Sequence, residues 1–398
     1  MSGEVISLGP SLRGEDRRIW REVEKNVAGC DSHYFFTFFN PQSSGKDVEK
    51  EFFVLSVDGD HVGRASATLD KNFGNVGFIE EFMVREDQKD FVDPLIERCL
   101  SVLKEKGVEE VMVKGGLLLA LQTEGYEEIP PFGCPHNPPW YVDLFERNGF
   151  SKTREWRLFN AKLPKISKDK AKKFEEALDR LGIKIRPLKA RDTKEKMAFD
   201  NLLSETNANP YMDTIPARSE KTSRFALFIS SMVMRFLKVR TFVGIDKNGD
   251  VVFFMGYLPD FNRAMLPLNV INEKRSVSPT LYSSLKVPFA IRRVKVCREL
   301  GIKLTFPTYS PPPSYLSSYL KVCQERGIGP AKGVSEDIKM EDILNYFIYL
   351  MRKDGYEEMT ACVAQTDNLS MQPLEDFIRR YKDVKTVGRY AALVYDFK

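Results

Sequence analysis

Phe52-Phe53-Val54-Leu55-Ser56-Val57-Asp58-Gly59-Asp60-His61-Val62-Gly63-Arg64 reads as a strand, an Asp-Gly turn and a second strand. Far downstream, Thr241-Phe242-Val243-Gly244-Ile245-Asp246-Lys247-Asn248-Gly249-Asp250-Val251-Val252-Phe253 reads the same way. Each hairpin is followed, after further material, by a helix ending in glycine, a strand, a second helix and a final aromatic strand. A supersecondary unit that occurs twice in the same order predicts two α/β domains of one kind in tandem.

Outward from the first hairpin, the pattern predicts a helix over 13–28, with Ile19, Trp20, Val23 and Val27 at helical spacing. Strands are predicted at 51–57, 62–69 and 76–84. A helix over about 93–106 has Leu95, Ile96, Cys99, Val102 and Leu103 on one face and Gly107 as its cap. A strand at 108–114, an irregular stretch at 115–139, a short helix at 141–147 and a strand at 155–163 close the first unit. A linker helix over 168–181 leads to a strand at 183–188 and to one or two helices, at 194–206 and 219–238. After the second hairpin the chain repeats: helix 340–353, Gly355, strand 358–366, helix 373–381 and strand 387–397. The domain boundaries so read are 1–163, a linker at 164–183 and 184–398, with an insertion around 263–335 that has no counterpart of equal length in the first unit.

With 398 residues, 29% charged and 42% hydrophobic, the chain has the make-up of a soluble protein with several cores. A net charge of +4 is too small to argue for nucleic acid by itself, and the basic cluster at 162–196 is interspersed with acids, so nucleic acid is not the expected partner. The six cysteines are scattered and only three histidines occur, so a metal site or a Ser-His-Asp triad has little raw material. No apolar run reaches the roughly 18–20 residues of a membrane span. The expectation is a cytoplasmic protein without a metal.

Hairpin, strand, helix, strand, helix, strand is the order of the GNAT (Gcn5-related N-acetyltransferase) fold, and the sequence resembles a group of bacterial tandem-GNAT proteins more specifically. Asn137-Pro138-Pro139-Trp140-Tyr141, Leu144-Phe145-Glu146 and Gly149-Phe150 are similar to that group's NPPYY-like segment, and Gly63-Arg64-Ala65 and Gly77-Phe78 with Glu80 fit it. So do Leu258-Pro259-Asp260-Phe261-Asn262 and Asp367-Asn368 in the second half. The resemblance implies mixed, mostly antiparallel sheets flanked by helices, with acetyl-CoA or another acyl-CoA as co-substrate. It also implies that the acyl-CoA arm lies where the fourth strand splays from the fifth. The pyrophosphate would meet backbone N–H groups at the next helix, and a small-molecule or peptide amine would be the acceptor.

Arg85-Glu86-Asp87-Gln88-Lys89-Asp90 carries three acids and no glycine where the resemblance puts a phosphate turn, so the first unit reads as degenerate. The acids have a plainer use as caps of the helix near Asp93. Gln324-Glu325-Arg326-Gly327-Ile328-Gly329 matches the phosphate signature literally, but Lys321–Ile328 repeats the letters of Lys295–Ile302, which reads as a helix ending in a glycine cap. Gly329, Lys332 and Gly333 are then the candidate phosphate loop, with Asn368 as a further cofactor ligand. Glu80 and Glu81 are candidate bases, expected to face opposite sides of their strand. Tyr141 is a candidate acid for the thiolate, or a packing residue. The loop 207–218 either lines the acceptor pocket or merely joins two helices. Three readings stay open: an acyl-CoA-dependent N-acyltransferase working in the second unit, a non-catalytic GNAT-derived binding or scaffold protein, and a Fem-type aminoacyl transferase.

Overall fold

The computed structural model describes residues 3–28, 48–115, 120–128, 134–189, 192, 194–195, 240–259, 308–310, 340–364 and 384–397. The predicted helices at 219–238 and 373–381, the body of that at 194–206, the loop 207–218 and most of 263–335 lie outside these residues. The described residues divide into two compact units, one of 3–155 with 388–397, the other within 156–387.

The first unit is built from β1 (Gly3–Gly9), α1 (Gly14–Ala28), β2 (Val48–Val57), β3 (Asp60–Asp70), β4 (Val76–Val84), α2 (Asp93–Glu105), β5 (Glu110–Lys114), β6 (Leu121–Glu124) and α3 (Trp140–Arg147). The turn between β2 and β3 is tight because Asp58 and Gly59 both take positive φ, 52° and 87°. A two-residue hairpin demands this and Asp-Gly supplies it at little cost. Helix α2 buries Leu95, Ile96, Cys99, Leu100, Val102 and Leu103 on one face of the sheet, against Phe53, Leu55 and Ile79. Helix α1 covers the other face with Trp20 and Val23 against Phe52 and Val54. Gly77 lies beneath α2, where an added Cβ would come within 2.8 Å of Leu103 Cδ2.

The second unit contains α4 (Lys168–Arg180), β8 (Lys184–Pro187), β9 (Arg240–Ile245), β10 (Val251–Pro259), β11 (Thr308–Ser310), α5 (Met340–Lys353) and β12 (Glu358–Ala364). Asp246 Oδ1 accepts from the backbone N–H groups of Asn248 and Asp250, both at 2.9 Å, and shapes its hairpin turn. Helix α4 begins on an N-cap, Ser167 Oγ accepting from Lys170 N, and packs Ala171, Phe174, Ala177 and Leu178 against Ile343, Leu344 and Phe347 of α5. It is a core helix of this unit and not a linker.

The two long strands β7 (Ser151–Lys162) and β13 (Val384–Asp396) change the domain boundaries drawn from chain order. β7 pairs antiparallel with β12, from Glu358↔Lys162 to Ala364↔Trp156, in the second unit. β13 pairs with β5, from Val394↔Met112 to Asp396↔Glu110, and with β6, in the first. The strand order is β1-β2-β3-β4-β5-β13 in one unit and β8-β9-β10-β11-β12-β7 in the other, with β4–β5 and β11–β12 the parallel pairs and the rest antiparallel. Each unit is thus closed by the strand that chain order assigns to its twin. β11 also sits inside the stretch read as an insertion and is the counterpart of β4.

Candidate functional site

In the first unit, β4 and β5 pair from Val76↔Glu110 to Glu80↔Lys114, and the ladder stops there. At the next residue, Glu81, φ is 55°, a left-handed conformation that costs a non-glycine residue on the order of 1 kcal/mol or more. Across from it the register with β3 slips: Ser66 faces Glu80 and Arg64 faces Met83, so Ala65 alone spans Glu81 and Phe82. This is a β-bulge, which bends a strand and re-aims its edge. Beyond it Arg85 N–H donates back to Val62 O on β3 at 2.9 Å. Successive N–H groups alternate along a strand, so the N–H of Val84 points off the other edge, the one that pairs with β5 farther back.

That N–H is already engaged. It donates to Tyr141 Oη at 2.9 Å, and Tyr141 is buried. Burial pushes the phenol well above its usual value, so it keeps its proton. Phe82 packs edge-on to Tyr141 with centroids 5.0 Å apart and lies 4.9 Å from Phe145, and Trp140 packs at 4.6 Å from Tyr141. The Asn-Pro-Pro segment fixes this placement. Asn137 Oδ1 accepts from Gln122 N at 2.6 Å while its Nδ2 donates to Gln122 O at 3.1 Å, so one buried side chain pairs with β6 as a strand would and starts α3 at a set point.

The two acids do not face opposite sides, as strict alternation predicted. Lys50 Nζ lies 2.8 Å from Glu80 Oε2 and 3.4 Å from Glu81 Oε1, because the left-handed residue breaks the alternation. Glu80 also accepts from Lys114 Nζ at 2.6 Å and from Thr68 Oγ1 at 3.0 Å. Burial alone would raise its pKa, but Lys114 and Lys50 outweigh that and hold it at about 2. A carboxylate so weakly basic is a poor acceptor for an ammonium proton near neutral pH and a good anchor for buried cations. Burial likewise works against the Lys50 ammonium, and Glu81 and Glu80 raise its pKa nonetheless.

At the end where a phosphate would sit, Glu86–Phe91 forms a 3-10 turn of its own. Asp87 pairs with Arg85 at 2.6 Å, and none of the turn's acids caps α2, contrary to the simpler reading of them. The first helical residue, Asp93, is bound by Arg147 and Asn148. The amino end of α2 thus already carries a carboxylate.

In the second unit β11 and β12 pair in parallel over Thr308↔Met359 to Ser310↔Ala361, and Tyr257 Oη donates to Asp354 Oδ2 at 2.9 Å beyond the end of α5. Gly329, Lys332 and Gly333 fall in chain order between β11 and α5, and Asn368 after β12. All four lie outside the described residues. A surface pocket of about 360 Å³ between α4 and α5 is lined by charges of both signs, among them Lys170, Lys173, Glu341 and Asp342. Among the described residues, no helix is long and apolar enough to cross a membrane, and no three metal-ligating side chains cluster. Lys50, Lys114 and Thr68 were not singled out from sequence, although Lys50 shares the strand face of Phe52 and Val54, where a lysine signals a buried partner.

No family profile matches the sequence, and no curated protein matches it. Solved structures do. A tandem GNAT protein from the clavulanic acid biosynthesis pathway superposes with a TM-score of 0.51 at 6% identity, over 99% of this chain and 98% of that one. The fold is that of a tandem GNAT protein. A GCN5-related N-acetyltransferase from Sphaerobacter thermophilus aligns over 98% of this chain and 95% of its own at 10% identity, with a TM-score of 0.47. At 6% identity the likeness to the first of these is one of fold. In the first unit β4 runs on past its ladder with β5 and carries the bulge at Glu81.

Proposed function

We propose that this chain is an acyl-CoA-dependent N-acyltransferase acting on a small-molecule or peptide amine, with its working site in the second GNAT unit. The observation that carries the reading is the repeated strand order. It makes β11 and α5 the counterparts of β4 and α2, and Gly329, Lys332 and Gly333, which fall between them in chain order, are in this reading the phosphate loop. Bound there, an acyl-CoA would present a thioester carbonyl to the amine. Backbone N–H groups freed by the glycines, with Lys332, would hold its phosphates, and Asn368 would hydrogen-bond the arm. Glu80, Glu81 and Tyr141 serve the packing of the first unit in this reading and transfer no proton.

Acetyl-CoA should raise the melting temperature of the full chain. A ligand at 100 times its Kd adds about 2.7 kcal/mol. Asn368→Ala should shrink that shift, because one net hydrogen bond is worth about 0.5–1.5 kcal/mol. No shift at millimolar acetyl-CoA favours the second reading, a GNAT-derived binding protein without cofactor chemistry, which the acidic turn of the first unit also supports.

A further inference from the structure

We infer that the edge of β4 beyond its ladder with β5 is closed by the chain itself, with Tyr141 as the latch that keeps an acyl-CoA arm off it. The inference rests on the acyltransferase reading only for the identity of the excluded ligand. Three independent observations converge on it. The β4–β5 ladder ends at Glu80↔Lys114 while β4 runs on to Val84, and Glu81 carries the strained φ of 55°. Beyond that point the Val84 N–H, which faces away from β3 and would otherwise serve a carbonyl oxygen, donates to Tyr141 Oη at 2.9 Å. Phe82 is in ring contact with both Tyr141 and Phe145. At the phosphate end, Asp93 is tied to Arg147 and Asn148, and the preceding turn exposes Glu86, Asp87 and Asp90.

A hydroxyl oxygen accepts one N–H much as a thioester or amide carbonyl would, and a buried N–H without an acceptor is unfavourable. Tyr141 therefore stands in for the ligand. The latch is held from behind, since Asn137 clamps the start of α3 to Gln122 of β6. The first unit is in this view a filled site, retained for its shape and stability.

Amide hydrogen exchange on the full-length chain tests this in two arms. Tyr141→Phe keeps the ring and removes the acceptor, so the Val84 amide should exchange at least tenfold faster than in wild type, while 95–103 of α2 are unchanged. An unaltered Val84 rate would overturn the latch. The second arm needs no variant: millimolar acetyl-CoA added to wild type should leave exchange over 78–92 as it was, with any slowing confined to the second unit. Slower exchange over 78–92 would overturn the closure. Protection in neither unit would count against the acyltransferase reading, while the closure would still be decided by the Tyr141→Phe result.

Discussion

Glu80 sits between two ammonium groups and a hydroxyl in the layer that α1 covers, and that position decides what its removal does. Glu80→Gln leaves the Lys50 ammonium, only 4% exposed, without its nearest counter-charge. Breaking a buried pair from one side costs about 3–5 kcal/mol, so the urea midpoint should fall accordingly. Replacing both partners, as in Lys50→Met with Glu80→Met, should cost far less than the sum of the two single changes. If Glu80→Gln left stability intact and abolished a measured transferase activity, the carboxylate would be a base and not an anchor. The pH dependence has a definite sign. The folded-state pKa lies at about 2, below the ordinary carboxylate value, so the stabilisation is complete above about pH 4.5 and is lost as pH falls toward 2. Melting temperatures followed down through that window should drop steeply for wild type and less steeply for Glu80→Gln.

Helix α4 is where an element-scale reading and the structure part. Its charged, amphipathic sequence and its place between two repeats read as a linker, but Phe174 is fully buried and packs 5.4 Å from the Tyr346 ring. Phe174→Ala should therefore cost about 3–5 kcal/mol in denaturant unfolding, where a linker helix would lose almost nothing. Elements with strong local signals were legible: the Asp-Gly hairpin, the apolar face of α2 ending at Gly107, and α5 ending at Gly355, with φ of 78° and 89° at the two glycines. β1 was missed because a short, mostly half-buried strand at the start of the chain has weak periodicity, and β6 because four residues beside an irregular stretch give too little pattern. The bulge was not legible at all. Glutamate has no preference for a left-handed φ, and Glu81 takes one because its neighbours on β3 impose the register. Asn137 stands in a recognisable Asn-Pro-Pro segment, yet its pairing with Gln122 depends on a strand that local sequence does not announce. The candidate site was legible as a list of residue types near one strand, and its wiring through Lys50 and Lys114 was not.

At the scale of the whole chain the decisive feature is which strand closes which unit. Periodicity marks β7 and β13 as half-buried strands but carries no information about their neighbours, so chain order assigns each to the wrong unit. The consequence is that the last residues of the chain hold the first unit together. Leu393 is fully buried, the Tyr395 ring lies 5.4 Å from that of Phe150 and 5.1 Å from that of Phe397, and Phe397 N–H donates to Glu109 O at 3.0 Å. Gly149 fits this contact because a Cβ there would come within 3.0 Å of the Tyr395 ring. Truncation after residue 387 should strip those side chains from the core and expose the edge of β5. The loss of Leu393 alone is worth about 2–5 kcal/mol if it behaves as other buried leucines do. Hydrogen exchange on the truncated chain should show protection collapsing over 48–114, far away in sequence, and persisting over 168–180 and 340–353. The reverse pattern, with α4 and α5 deprotected and the first unit intact, would mean that the terminal strand closes the unit it follows in sequence and that the exchanged pairing is wrong.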